Sequence, residues 1–425
     1  MKSFNPEFSE QLYSSVLPCG IRLAIMPKQD FSRTEIQLAV PFGSLTTRAY
    51  KKGSKEPIIL PEGMAHFLEH LLFESETLDI PKRFAEVGAV VNAYTTYDKT
   101  AYYFQTTSDV IRPLELLIEM VMTAQFSEMA MKKEAAIIEQ EMMMYDDDYE
   151  QQIYQSLLKQ LYSSHPIRHD IAGTIESVEA TTYQALMDAY RLFYHPENMV
   201  MVVVGNVDAS EIQQKVESTF QRYLNRVNDY HHTAVIIDEI SKKPSHHIVK
   251  KDVAIPMLMM GIRLKLTDTK TLWERAMDDI KMSFLLSGVF GKGGNIYRDL
   301  MKRHVINDAF DYFSSYEESY GHLIVFTETK KPSLSKKALI KALEQIKTTL
   351  PDEKQFELSK RKLIGEYIQM FDQISQLANQ VLDYEMKSIS LFDFFKELSA
   401  LTYDDVLKMR DDILLDSLVS ITFSN

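Results

Sequence analysis

At 425 residues the chain is too long for one ordinary hydrophobic core, so two or three domains are expected. A composition of 45% hydrophobic and 25% charged residues excludes a disordered or low-complexity chain, and a formal charge of −13 argues against nucleic acid, which requires a clustered basic face. No run approaches the roughly eighteen apolar residues of a bilayer span, and no apolar stretch follows a basic start, so neither a membrane segment nor a signal peptide is expected.

Taken in chain order, residues 21–26 form a short apolar strand ended by Pro27, and residues 35–40 alternate polar and apolar like a half-buried strand. Residues 48–61 read as loop. Residues 63–73 read as a helix that is apolar apart from its His and Glu, and 79–87 as a second helix with Gly88 at its C-terminal cap. Strands at 90–95 and 100–106 flank the polar turn Tyr97-Asp98-Lys99, a hairpin signal. Helical periodicity covers 110–145 with a break near Phe126-Ser127, and helices follow at 150–162 and 182–193. Residues 199–204, ended by Gly205-Asn206, have the composition of a fully buried strand.

The chain then turns polar, with His231-His232, Lys242-Lys243, Pro244 and His246-His247, and residues 231–250 are expected to be a linker. Beyond it the pattern restarts. A strand at 257–264 and a helix at 268–287 precede a Gly-rich loop, Gly291-Lys292-Gly293-Gly294. A strand at 323–327, helices at 333–349 and 352–371, and a closing strand at 417–423 complete it. The expected fold is α+β: two similar domains, 1–230 and 251–425, each an antiparallel-rich mixed sheet covered by helices.

The chemistry concentrates in His66-Phe67-Leu68-Glu69-His70. Residues three and four apart share one face of a helix, so both imidazoles reach one ion and Glu69 stands beside them. The single cysteine, Cys19, cannot build a thiolate site or an intramolecular disulfide, which suits a reducing cytoplasm and leaves His and carboxylate as ligands. Zinc accepts such a set, and a neighbouring carboxylate can take a proton from metal-activated water. A third ligand must come from another helix. Glu134 and Glu141, seven apart, face the same way, whereas Glu139 points roughly opposite to Glu141.

His66-x-x-Glu69-His70 followed by Glu134-x6-Glu141 resembles the pitrilysin/insulinase family of zinc peptidases, the inverzincins. Similarity extends through Pro61-Glu62-Gly63-Met64-Ala65, Val91-Asn92-Ala93-Tyr94-Thr95 and Tyr194-His195-Pro196-Glu197-Asn198-Met199. Gln140-Glu141, Tyr145-Asp146-Asp147-Asp148, His165-Pro166 and Asp170-Ile171-Ala172-Gly173-Thr174 are similar to its bacterial YmfH-like branch. The resemblance implies a zinc endopeptidase with His66, His70 and Glu141 on the metal, Glu134 supporting them, and Glu69 as general base. It also implies that Asn92 and Ala93 lie on an edge strand that pairs with an extended peptide. In the family, two halves close around peptides as a clamshell.

One departure from the family is clear. Active single-chain or homodimeric members carry an Arg and a Tyr seven residues apart in the C-terminal domain, and those places here hold Met301 and Asp308. Arg298 and Arg303 have Val305 and Phe310 seven residues on. The resemblance therefore implies the zinc-bearing half of a heterodimer, whose partner lacks the zinc motif and supplies the Arg/Tyr pair. A homodimer, Lys302 as a substitute electrophile, and a non-catalytic or weakly active interaction subunit are the alternatives. The paired histidines at 231–232 and 246–247 are weak metal candidates because adjacent side chains point apart, the Gly-rich loop lacks a phosphate loop's spacing, and His165 and His195, each before proline, read as turn residues.

Overall fold

The computed structural model describes residues 2–5, 10–74, 79–124, 126–145, 148–224, 228, 230–233, 238–240, 243–267, 269–348 and 353–425. Asp146, Asp147, Lys242, the expected helix ends at 268, 349 and 352, and the side chains of His231 and His232 lie outside them.

The chain folds as two compact units. The first comprises Met1–Met143, His169–Ala234 and Gln369–Phe392; the second comprises Met144–Arg168, Val235–Ile368 and Asp393–Asn425. Each half of the chain thus contributes one segment to the unit built mainly from the other half.

In the first unit a seven-stranded sheet runs in the order Lys2–Asn5, Glu10–Val16, Arg22–Pro27, Val200–Gly205, Thr34–Val40, Thr100–Thr106 and Ala89–Thr95. Val200–Gly205 is buried along its whole length because it sits mid-sheet, parallel to Arg22–Pro27 and antiparallel to Thr34–Val40. One face packs on the helices Met64–Phe73, Ile111–Met122, Tyr183–Phe193 and Ala209–Phe220 through a core that includes Ile36, Leu38, Phe67, Leu68, Leu117 and Phe193. The other face is covered by the helix Ile374–Met386. That docking is polar: Ser375 Oγ donates to Glu35 Oε2 at 2.6 Å, Gln37 Nε2 donates to Asn379 Oδ1 at 2.7 Å, and Lys99 Nζ pairs with Asp383 at 2.7 Å. Glu35 and Gln37 are both 1% exposed, so these partners satisfy groups that would otherwise be costly to bury.

The second unit repeats the plan with five strands: Ser245–Lys250, Val419–Ser424, Met257–Arg263, Gly321–Glu328 and Asp311–Tyr316. Ser245–Lys250 runs parallel to Val419–Ser424, Met257–Arg263 is antiparallel to Val419–Ser424, and the hairpin of Asp311–Tyr316 and Gly321–Glu328 closes the far edge. The first unit has the same order once its two N-terminal strands are set aside. Here the helix Tyr149–Leu161 packs on Met257–Arg263 and Val419–Ser424. Gly261 permits the close approach, since a Cβ there would stand 3.0 Å from Leu157.

The stretch expected as a linker is partly strand. Tyr230–Thr233 pairs with Arg48–Lys51, inside the region read as loop, and Ser245–Lys250 is the edge of the second sheet. Alternating exposure along Ser245–Lys250 gives it the polar composition of loop. His246 meets Ser420 Oγ at 2.7 Å and His247 meets Ser245 Oγ at 3.2 Å, and among the described residues neither belongs to a group that could hold a metal ion. Among the described residues, no helix is long and apolar enough to cross a membrane.

At the end of Tyr149–Leu161, Tyr162 OH lies 2.9 Å from His322 Nδ1, and the Arg263 guanidinium sits 3.9 Å from the Tyr162 ring centroid while pairing with buried Asp238 at 3.3 Å. Burial, with Arg263 nearby, pushes His322 down to about 3 and His165 to about 4. Both stay neutral in the folded chain and take a proton on unfolding below the ordinary histidine value of about 6.5, so stability falls as pH drops from there toward 4. Trp273, the one tryptophan, lies in this unit against Phe394. Its fluorescence is expected to report a falling unfolding temperature from pH 7 to 4.5, with a shallower slope in His322→Gln; a flat native profile would refute this.

Candidate metal centre

The helix Met64–Phe73 starts at Gly63, whose φ of 79° is left-handed. A Cβ there would stand 2.2 Å from the Ala172 carbonyl oxygen, so only glycine fits where Pro61-Glu62-Gly63 meets Asp170-Ile171-Ala172-Gly173. His169 Nδ1 and Glu62 Oε2, 3.0 Å apart, tie the same two segments. Met64, Ala65, Phe67, Leu68, Leu71 and Leu72 are buried, and this apolar stripe leaves His66, Glu69 and His70 together on the remaining face.

The second helix, Glu128–Tyr145, brings Glu134 and Glu141 to that face. His66, His70 and Glu141 each offer a ligand atom, and these atoms lie within 4.8 Å of one another. Glu141 Oε2 stands 3.7 Å from His66 Nε2 and 3.5 Å from His70 Nε2. Those gaps are long for hydrogen bonds, but ligands about 2.0–2.2 Å from a tetrahedral ion stand roughly 3.4 Å apart. Two imidazoles and a carboxylate in this arrangement fit zinc. Glu139 lies outside the group.

Glu134, 4% exposed, places Oε2 at 3.2 Å from His70 Nδ1 and so orients that ring with Nε2 toward Glu141. Buried His66 Nδ1 has no hydrogen-bond partner among the described residues. Burial and the neighbouring His70 hold His66 down to about 4, leaving it neutral and able to ligate. Burial also lowers His70, but the Glu134 hydrogen bond and the charges of Glu69, Glu141 and Glu134 outweigh it, and its pKa is raised. Glu69 is pushed up by burial against the opposing Thr95 hydrogen bond and His70 charge.

Glu69 Oε2 accepts a hydrogen bond from Thr95 Oγ1 at 2.5 Å. Sequence patterns do not single out Thr95; their only signal there is a position two residues beyond Ala93 on one strand. That strand, Ala89–Thr95, is the edge of the first sheet. The Thr96 amide donates to Lys99 across the turn, so by alternation residues 91, 93 and 95 turn their amides and carbonyls to the open edge. The Ala93 amide is occupied there by its neighbour's side chain, Asn92 Oδ1, at 2.8 Å.

In the second unit, Met301 is half-buried and Asp308 exposed. Arg298 donates to the Gly293 carbonyl, and Arg303 pairs with Asp299 at 3.1 Å. Lys302 is exposed at the end of the helix Asn295–Lys302. His165 Nδ1 and His195 Nδ1 each accept an amide two residues on, from Ile167 at 3.1 Å and Glu197 at 3.3 Å, as turn residues do.

Residues 32–175 match the model described as "Insulinase (Peptidase family M16)", and residues 180–363 match "Peptidase M16 inactive domain". The chain is 32% identical to the "uncharacterized zinc protease YmfH" of Bacillus subtilis over 97% of its own length and 96% of that protein. Its structure is similar to that of an M16-like peptidase from Alicyclobacillus acidocaldarius, with a TM-score of 0.91, 27% identity and full coverage of both chains. A Helicobacter pylori protease shares the fold at a TM-score of 0.80 and 18% identity, covering 98% of this chain and all of that one. YmfH is named a zinc protease, and the cofactor of this chain is zinc. The chain therefore belongs to the insulinase family, peptidase family M16, in its YmfH-like branch.

Proposed function

We propose that the protein is a zinc-dependent endopeptidase, with His66, His70 and Glu141 as metal ligands and Glu134 fixing His70. The observation that carries this reading is the convergence of three ligand atoms within 4.8 Å beside a fourth side chain, Glu69, that is free of the ligand set. When bound, zinc supplies Lewis acidity, polarising a carbonyl and lowering the pKa of water to about 7. Glu69 takes the proton of the attacking water on its carboxylate and then delivers it to the leaving amine nitrogen. The open edge of Ala89–Thr95 holds an extended peptide by backbone pairing, and the Asn92 carboxamide swings from the Ala93 amide to the incoming chain.

The protein acts, on this reading, as the zinc-bearing subunit of a two-subunit clamshell. Supporting this, Met301 and Asp308 replace the cationic and phenolic donors, and nearby Arg298 and Arg303 are engaged locally. The placement in a reducing cytoplasm is supported by one buried cysteine, Cys19, whose thiol burial pushes up to about 12.

The test is metal content by elemental analysis with chelator titration. One zinc per chain is expected, lost in His70→Ala and retained with about 10- to 100-fold weaker affinity in Glu134→Gln, since only the ring's orienting partner is changed. Native protein that holds no zinc, or His70→Ala that holds it as tightly, would end this reading.

A further inference from the structure

We infer that Thr95 is a positioning residue for Glu69, tying the general base to the strand on which the peptide lies. The inference rests on the peptidase reading above. Thr95 ends the edge strand Ala89–Thr95, and its Oγ1 lies 2.5 Å from Glu69 Oε2. The same oxygen is 3.2 Å from Thr100 Oγ1, and Thr100, fully buried, donates to the Phe42 carbonyl at 2.8 Å. A hydroxyl has one proton. The Thr100 proton is committed to Phe42, and an ionised carboxylate can only accept, so the Thr95 proton goes to Glu69, the shorter and charge-assisted of its two contacts.

The platform beneath Thr95 is fixed. The Thr96 amide donates to the Lys99 carbonyl at 2.8 Å, Thr96 Oγ1 donates to Asp98 at 2.7 Å, and the Ser44 and Leu45 amides donate to the carbonyls of Thr96 and Tyr97. Gly43 lies flat against this turn, where a Cβ would come within 2.6 Å of the backbone of Tyr97, Asp98 and Lys99. Lys99, 6% exposed, is held by Asp383. A glutamate on a helix surface has three torsions to explore, and one hydrogen bond from an immobile hydroxyl selects among them. Thr95 also turns its own amide and carbonyl to the open edge. One residue therefore sets both the register of a paired peptide and the position of the group that moves the proton.

The test uses the full-length, zinc-loaded chain together with any subunit that co-purifies with it, and a quenched-fluorescent extended peptide as probe. Thr95→Val keeps the shape and removes the donor. It is expected to lower kcat about tenfold to a hundredfold with KM and zinc content unchanged, and Thr95→Ser is expected to restore kcat. Crystal structures give a readout independent of turnover: the Glu69 carboxylate is expected in one position in the native protein and Thr95→Ser, and displaced in Thr95→Val. An unmoved carboxylate in Thr95→Val overturns the inference. So does equal impairment of both variants with a lowered unfolding temperature, which would make Thr95 a hairpin residue only. Failure of the peptidase reading is separately visible, as native protein without zinc.

Discussion

Glu69→Gln is expected to keep its zinc and lose peptide hydrolysis by about 10²- to 10⁴-fold in kcat, the usual contribution of a positioned general acid–base group. Glutamine preserves the side-chain volume and can still accept the Thr95 hydroxyl proton, so the hairpin contact survives. The ligand set survives as well, because Glu69 is not part of the His66, His70 and Glu141 cluster. What disappears is the basic oxygen. Burial raises the Glu69 pKa, which makes its carboxylate a stronger base than a surface glutamate, and an amide cannot substitute for it. Peptide turnover and zinc content measured on the same preparation decide the matter. A variant that retains native kcat removes Glu69 from the mechanism and leaves the metal assignment standing.

The second large effect concerns the missing electrophile. As the scissile carbonyl becomes tetrahedral, negative charge grows on its oxygen, and loss of one donor aimed at that oxygen costs about 10²- to 10³-fold in rate. Met301 and Asp308 offer neither a cationic nor a phenolic donor. Turnover by the isolated chain is therefore expected to lie at least about 10²-fold below that of a complex with a homologous subunit bearing the Arg/Tyr pair. Purification of the untagged native protein, followed by assay of the complex and of the separated chain, measures this ratio. Equal turnover by the isolated chain would discard the two-subunit reading and turn attention to a homodimer or to Lys302. The deficit should fall mainly on kcat, since the missing contacts form only as charge develops.

Features that depend on short spacing are encoded locally and can be read from the residues alone. Residues 66, 69 and 70 share a face because helix geometry places them there, and the apolar residues of the same helix line the opposite face. The hairpin around Tyr97-Asp98-Lys99, the buried strand ending at Gly205 and the seven-residue separation of Glu134 and Glu141 were legible for the same reason. Family resemblance, carried by these local patterns, singled out Glu141 from its neighbours.

Features that depend on distant pairing arise only when the chain packs on itself. Val200–Gly205 enters the sheet between two strands that lie more than 150 positions earlier, and no local pattern encodes that order. Edge strands such as Ser245–Lys250 pair on one side and alternate in exposure, so their composition is that of loop and matches a linker. The transfer of Ile374–Met386 to the first sheet depends on Ser375, Asn379 and Asp383, polar residues that look solvated until Glu35, Gln37 and Lys99 are placed opposite them. Thr95 reaches Glu69 only because the edge strand runs beside the helix that carries the motif, a contact created by packing across 26 positions of chain.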